Sequence, residues 1–219
     1  MRVRLCFSKT GPLRFIGHLD FLRAFQRTIR RASLPVAYSQ GFNPHMLLSF
    51  ALPVPVGIES INDYADLILE DEVDLEMVAE KLSSMAPKGL AVSRVYRVHG
   101  KAAAQTVAAD YLLKAPSPVS REAVQMLLDA PSIIIPKKTK KGIKNTDIRK
   151  DIFFLKDPCL SNTFKESAWQ VLMRLAAGSA GFLNPIPVAK LLLGEAPCPT
   201  SITRLELFQA NEEGRFITL

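Results

Sequence analysis

Along the first hundred residues the apolar side chains change their spacing from two to between three and four and back again. Few folds accept that succession. Arg2 to Ser8 sets Val3, Leu5 and Phe7 against Arg2, Arg4 and Cys6, the period of a strand with one buried face. Lys9 to Gly17, with Gly11-Pro12, reads as a loop, and His18 to Ala32 then places Leu19, Leu22, Phe25, Gln26 and Ile29 at helical spacing. Leu34-Pro35 ends that helix, and Met46 to Leu52 and Ala65 to Glu70 carry strand character. Asp74 is a plausible cap for a helix through Leu75, Val78, Ala79, Leu82 and Met85. Pro87 and Gly89 stop it before a strand over Ala91 to Val98. The order β-α-β-β-α-β predicts a ferredoxin-like split βαβ unit, whose two helices cover one sheet face and leave the other for RNA or another domain.

Gly100 to Thr106 has little apolar pattern and marks the expected boundary between a domain over 1–100 and a second over 107–219. The second half begins the same way. Ala109 to Ala115 is strand-like and Ser120 to Leu128 a capped helix, while Ser132 to Pro136 and Ile148 to Leu155 flank a lysine-rich turn containing Gly142. Ser167 to Ala176 fits a strand or a helix, Pro185 to Leu193 a helix opened by proline, and Thr203 to Phe208 a last strand. The expected class is α+β, as tandem ferredoxin-like domains with the second copy degenerate.

A net charge of +7 favours polyanions. Cys6, Cys159 and Cys198 stand apart from one another, which supplies no disulfide framework, zinc site or cluster site, so no metal or cofactor is expected in this chain. The longest apolar stretches, such as Leu47 to Ile58, fall short of the ~20 residues of a membrane span, and a cytoplasmic location with no membrane partner follows as the expectation.

Three regions are candidates for RNA contact. On the first helix Arg23, Arg27, Arg30 and Arg31 form a ridge of guanidinium groups with Asp20 among them, suited to bidentate phosphate contact, and Arg14 in the preceding loop is counted with them. An ordinary solvated face is the competing reading. Lys137, Lys138, Lys140, Lys141, Lys144, Arg149 and Lys150 crowd the second half's hairpin as a cationic finger, or serve solubility and edge protection. Tyr38-Ser39-Gln40-Gly41-Phe42-Asn43-Pro44-His45 offers Tyr38 and Phe42 for stacking and Asn43 and His45 for base edges, unless the aromatics only plug the core. His18 and His45 form an alternative acid and base pair for metal-independent RNA cleavage if the fold brings them together.

The strings Phe7-Ser8-Lys9-Thr10-Gly11, Leu13 to Asp20, Arg30-Arg31-Ala32, Tyr38 to His45 and Ser49-Phe50-Ala51-Leu52-Pro53 closely resemble the bacterial radical-SAM-linked protein family, a domain of unknown function. Gly17 stands where members usually carry serine. The resemblance implies a radical SAM protein as partner, related to RNA methylthiotransferases, with the iron-sulfur cluster and S-adenosylmethionine held by that partner alone. It further implies a non-catalytic RNA-binding or substrate-presenting accessory role on tRNA or rRNA. A ribonuclease, and a protein-interaction module without RNA contact, are the alternatives.

Overall fold

A computed structural model describes residues 1–115, 118–139, 142–156, 159–162, 167–179, 181–194 and 201–219. The fold is α+β, and the chain packs as two units: Met1–Val107 with Glu206–Leu219, and Ala108–Leu205. Among the described residues no helix is long and apolar enough to cross a membrane.

The first unit runs β1 (Arg2–Lys9), a 3-10 turn (Gly11–Phe15), α1 (His18–Arg31), β2 (Leu48–Phe50), β3 (Glu59–Ile68), α2 (Leu75–Met85), β4 (Leu90–Arg97) and a single-turn α3 (Ala102–Gln105). Strand β1 lies between β4 and β3, and β2 pairs with β3, all of these pairings antiparallel. Val3, Leu5 and Phe7 enter a core with Phe21, Phe25 and Ile29 of α1 and Val78 and Leu82 of α2. Period two therefore placed the apolar face of β1 correctly, but not its polar face. Arg4 and Cys6 are as buried as their neighbours, because the chain returns over that side of the sheet. Arg4 Nε donates to Asp66 Oδ1 at 2.9 Å, and Arg4 Nη2 donates to Gly100 O and Gln105 Oε1. The other oxygen of Asp66 accepts from the amide of Ala102, which ties α3 to β3.

Helix α1 buries Phe21, Phe25, Thr28 and Ile29, whereas Leu19, expected on the apolar face, is 64% exposed. The face is rotated because Phe21 and Phe25 join Phe7 and Phe50 in one aromatic cluster, with centroids 5.1 to 6.0 Å apart. Their larger apolar area decides the orientation. Asp74 caps α2 as its sequence predicts, accepting from the amide of Glu76 at 2.9 Å. Gly89 has φ +94, and a Cβ there would sit 2.4 Å from the carbonyl oxygen of Thr10, so only glycine lets the start of β4 meet the end of β1.

The second unit comprises β5 (Thr106–Ala115, from Ala108), α4 (Arg121–Asp129), β6 (Ile134–Thr139), β7 (Gly142–Asp147), a 3-10 turn (Arg149–Asp151), β8 (Ile152–Leu155), β9 (Cys159–Asn162), β10 (Ser167–Ala176), α5 (Pro185–Leu193) and the first half of β11 (Ser201–Ala210). The segment 167–176, open between helix and strand, is a strand: Val171, Met173 and Leu175 are all buried at period two. It pairs with β5 from Trp169↔Ala115 to Ala176↔Ala108, and with β8 and β9. Ser120 and Asn184 cap α4 and α5 through their side-chain oxygens. The lysine-rich segment is not a turn between strands over 132–136 and 148–155. Lys137, Lys138 and Lys144 lie within β6 and β7, a separate two-stranded ribbon, and 152–155 pairs with β10 instead. Lys137 lies directly opposite Lys144 in that ribbon, a repulsive cross-strand pair.

The second half of β11, from Glu206, belongs to the first unit, where β12 (Phe216–Thr218) pairs with Phe208–Ala210.

Candidate nucleic-acid interface

Helix α1 holds Arg23, Arg27, Arg30 and Arg31 on its solvent side, and all four are exposed. They are not equivalent. Arg23 Nη1 is 3.0 Å from Asp20 Oδ1, an exposed pair of small worth to stability. Arg31 Nη2 donates to the carbonyl oxygen of Met85 at 2.7 Å, which anchors α1 to the last turn of α2. Arg27 and Arg30 have neither ion pair nor hydrogen-bonded side-chain partner among the described residues, so their guanidinium groups face water. Arg14 is tied down: its Nη1 meets Glu59 Oε1 at 3.0 Å and its guanidinium lies over the Phe15 ring at 4.7 Å.

Tyr38 to Met46 forms a tight hairpin in the same unit, closed by the Tyr38↔Met46 bridge and by Ser39 N donating to His45 O at 2.9 Å. The Ser39 hydroxyl accepts from the His45 amide at 3.0 Å and lies 2.7 Å from His45 Nδ1. Gly41, with φ +123, turns the tip. Phe42 is 106% exposed and Asn43 is exposed beside it, so this ring is no core plug. Tyr38 is exposed at 38%.

His18 and His45 have different surroundings. The His18 ring packs edge-on against Phe50, centroids 5.7 Å apart, and lines a cavity of about 10 Å³ with Lys9 and Asp63. His45 borders a separate cavity of about 300 Å³. The fold does not gather the two rings in one cavity. Beside His18 are two charged groups that the sequence reading passed over, Lys9 and Asp63, each 1% exposed. Lys9 Nζ donates to the carbonyl oxygen of Ile16 at 3.1 Å and stands 5.1 Å from the centre of the Phe21 ring. A signal was available for Lys9, since it continues the parity of Val3, Leu5 and Phe7 and so points to the helix-covered face.

On the ribbon of the second unit Lys137 and Lys144 are exposed, as is Lys150 beyond it. Lys138 is a strand residue at Lys138↔Ile143, and Lys140 and Lys141 lie outside the described residues. Arg149 is spent internally: Nη2 donates to Leu128 O at 2.7 Å and Nη1 to Ile152 O at 3.1 Å, which fastens the end of α4 to β8. Asp147 organises the ribbon's base. Its carboxylate accepts from the amides of Arg149 and Ile133, and these bonds hold its pKa below the ordinary range.

A family model described as "Uncharacterized protein conserved in bacteria (DUF2344)" matches residues 2–185. The chain belongs to this family. No curated protein matches it. Among solved structures, a chain of the "Crystal Structure of a Cbf5-Nop10-Gar1 Complex" is similar at a TM-score of 0.46 and 10% identity, over 96% of this chain and 50% of that one. This chain thus spans about half the length of that solved chain. A second likeness, the "Crystal Structure of an Unknown Protein from Galdieria sulphuraria", has a TM-score of 0.25 and 12% identity over 93% of this chain and 97% of that one.

On the sheet side opposite α1 and α2, this DUF2344 chain carries a polar cluster with no forewarning in sequence spacing. Tyr64 Oη donates to Glu206 Oε1 at 2.7 Å, the Leu207 amide donates to the same oxygen, and Tyr96 Oη donates to the carbonyl oxygen of Leu219 at 2.8 Å. Burial, then the Glu206 carboxylate, pushes the Tyr64 hydroxyl pKa up, and burial raises that of Tyr96. Burial also raises Glu206 above its ordinary 4.5, so the fold favours its neutral form. The stability this group contributes is fully present below its unfolded value and is lost as pH rises through the raised folded value. Glu206→Gln keeps the group neutral at every pH. Its urea midpoint is expected to match wild type at about pH 4 and to exceed it at about pH 8, and equal midpoints at both would mean the carboxylate ionises without cost.

Proposed function

We propose that the protein is a non-catalytic RNA-binding or substrate-presenting accessory chain for a radical SAM RNA-modifying enzyme acting on tRNA or rRNA. In this reading the cluster and S-adenosylmethionine sit in the partner, and the present chain supplies grip. Arg27 and Arg30 hold phosphates, Phe42 stacks on an unpaired base with Asn43 at its edge, and Lys137 and Lys144 add a sequence-independent backbone contact. The observation that carries the reading is the pair Arg27 and Arg30, exposed guanidinium groups without a carboxylate partner among the described residues, on a chain of net charge +7. The radical SAM partner is supported by the family motifs alone.

The tandem ferredoxin-like reading belongs with this proposal. Its support is the strand order, β4-β1-β3 with β2 on β3 in the first unit and β5-β10-β8 with β11 beside β5 for the second.

Arg27→Glu with Arg30→Glu tests the RNA reading. Fluorescence anisotropy with a structured RNA is expected to show weaker binding, and the salt slope should fall by about 1.4 if both groups contact a single-stranded segment. Unchanged affinity and slope would remove α1 from the interface. Retention of the radical SAM partner after nuclease treatment, with no RNA bound by either chain, would favour a protein-interaction module instead.

A further inference from the structure

The cavity beside the Tyr38–Met46 hairpin has its own chemistry. It is about 300 Å³, at the small end of the range for sites that enclose one small molecule. Its walls are apolar along Met46, Leu48 and Ile68, and Arg2, Lys101 and His45 stand around it. Asp66 is the single carboxylate of this lining, and it is already neutralised. It is 2% exposed, with one oxygen on Arg4 Nε at 2.9 Å and the other on the Ala102 amide at 2.6 Å. Arg2 and Lys101 have no ion pair among the described residues. The third polar group is the His45 imidazole, whose Nδ1 lies 2.7 Å from the Ser39 hydroxyl; in the tautomer where that hydroxyl donates to Nδ1, the ring proton is on Nε2.

Two cations and an imidazole around an apolar chamber suit an anion of up to two charges borne on a flat or apolar body. We propose that this cavity binds a phosphomonoester carried on a group the size of one nucleotide. A nucleic-acid duplex is far too large for it, whereas a terminal nucleotide or a free mononucleotide is not. The strand-end source rests on the RNA reading above; the free-nucleotide source does not.

The test uses the full chain. Adenosine monophosphate and adenosine are titrated by calorimetry, and a short single-stranded RNA is compared with and without its 5′ phosphate by anisotropy. The phosphorylated form of at least one pair is expected to bind about tenfold or more tighter, as one charged hydrogen-bonded contact provides. Arg2→Gln with Lys101→Gln should erase that preference, and Ser49→Trp, which fills the cavity without removing charge, should erase it too. Both variants should melt with the wild type. Arg27→Glu with Arg30→Glu should leave the preference intact, so that loss of RNA affinity on α1 and loss of phosphate recognition are read separately. A preference in the mononucleotide pair alone identifies a free ligand, and one in the RNA pair alone identifies a strand terminus. Absence of preference in both pairs, or a preference surviving in both cavity variants, overturns the proposal.

Discussion

Arg4→Met is expected to destabilise the first unit by about 3–5 kcal/mol, the range for removing one member of a buried ion pair. Arg4 and Asp66 are 3% and 2% exposed, and the substitution leaves the Asp66 carboxylate desolvated, held by the Ala102 amide. The loss comes from the orphaned charge rather than from the attraction itself, so removing both partners should be milder. Arg4→Met with Asp66→Leu should recover most of the stability. It should remain about 1–3 kcal/mol short, because the Ala102 amide then loses its acceptor. Hydrogen exchange of the β1 amides reads these changes within the unit concerned. A cost under about 1 kcal/mol for Arg4→Met would mean that water reaches Asp66.

Phe25→Ala should cost about 3–5 kcal/mol, as large-to-small changes do when the site cannot collapse. Phe25 is fully buried, and its ring meets Phe7 edge-on at 5.1 Å, Phe50 at 5.5 Å and Phe21 at 6.0 Å. Three rings fixed by one another cannot all move into the space it leaves. Phe42→Ala is the control on the same ruler: that ring touches solvent alone, and its removal should change stability by less than about 0.5 kcal/mol. Urea midpoints of the two variants, measured side by side, check both expectations. Comparable losses would mean that Phe42 is packed in solution.

What the sequence disclosed depended on the range of the interaction. Helix caps are local, and Asp74 and Asn184 lie where the helices over 75–85 and 185–193 begin; the first was legible as a cap and the second through its following proline. The parity of Val3, Leu5 and Phe7 was legible for the same reason. Arg4 was assigned to an open face because its partner lies sixty-two positions away and its covering turn over 102–105 looked like linker. Strand β3 begins at Glu59, earlier than its apolar residues suggest, because Asn62 is held by Glu206 and Asp63 is buried beside the cavity that Lys9 also lines. Among the site residues, exposure of Arg27 and Arg30 followed from helix phase, whereas the composition of the 38–45 loop left Phe42 open between stacking and plugging the core. The internal use of Arg149 did not, since carbonyl acceptors from α4 and β8 leave no trace in spacing. The cavity at Arg2, His45 and Lys101 was illegible for the same reason, being assembled from four separate segments, around 2, 45–49, 66–68 and 101.

The division of the first unit between Met1–Val107 and Glu206–Leu219 orders events during biosynthesis. As the chain leaves the ribosome, Tyr64 and Tyr96 emerge well before Glu206 and Leu219, the acceptors for their hydroxyls. Domains generally mature in the direction of synthesis, at about 5–20 residues per second. Here the second unit has all of its residues first, and the first unit must wait, unfinished, for residues 206–219 to return to it.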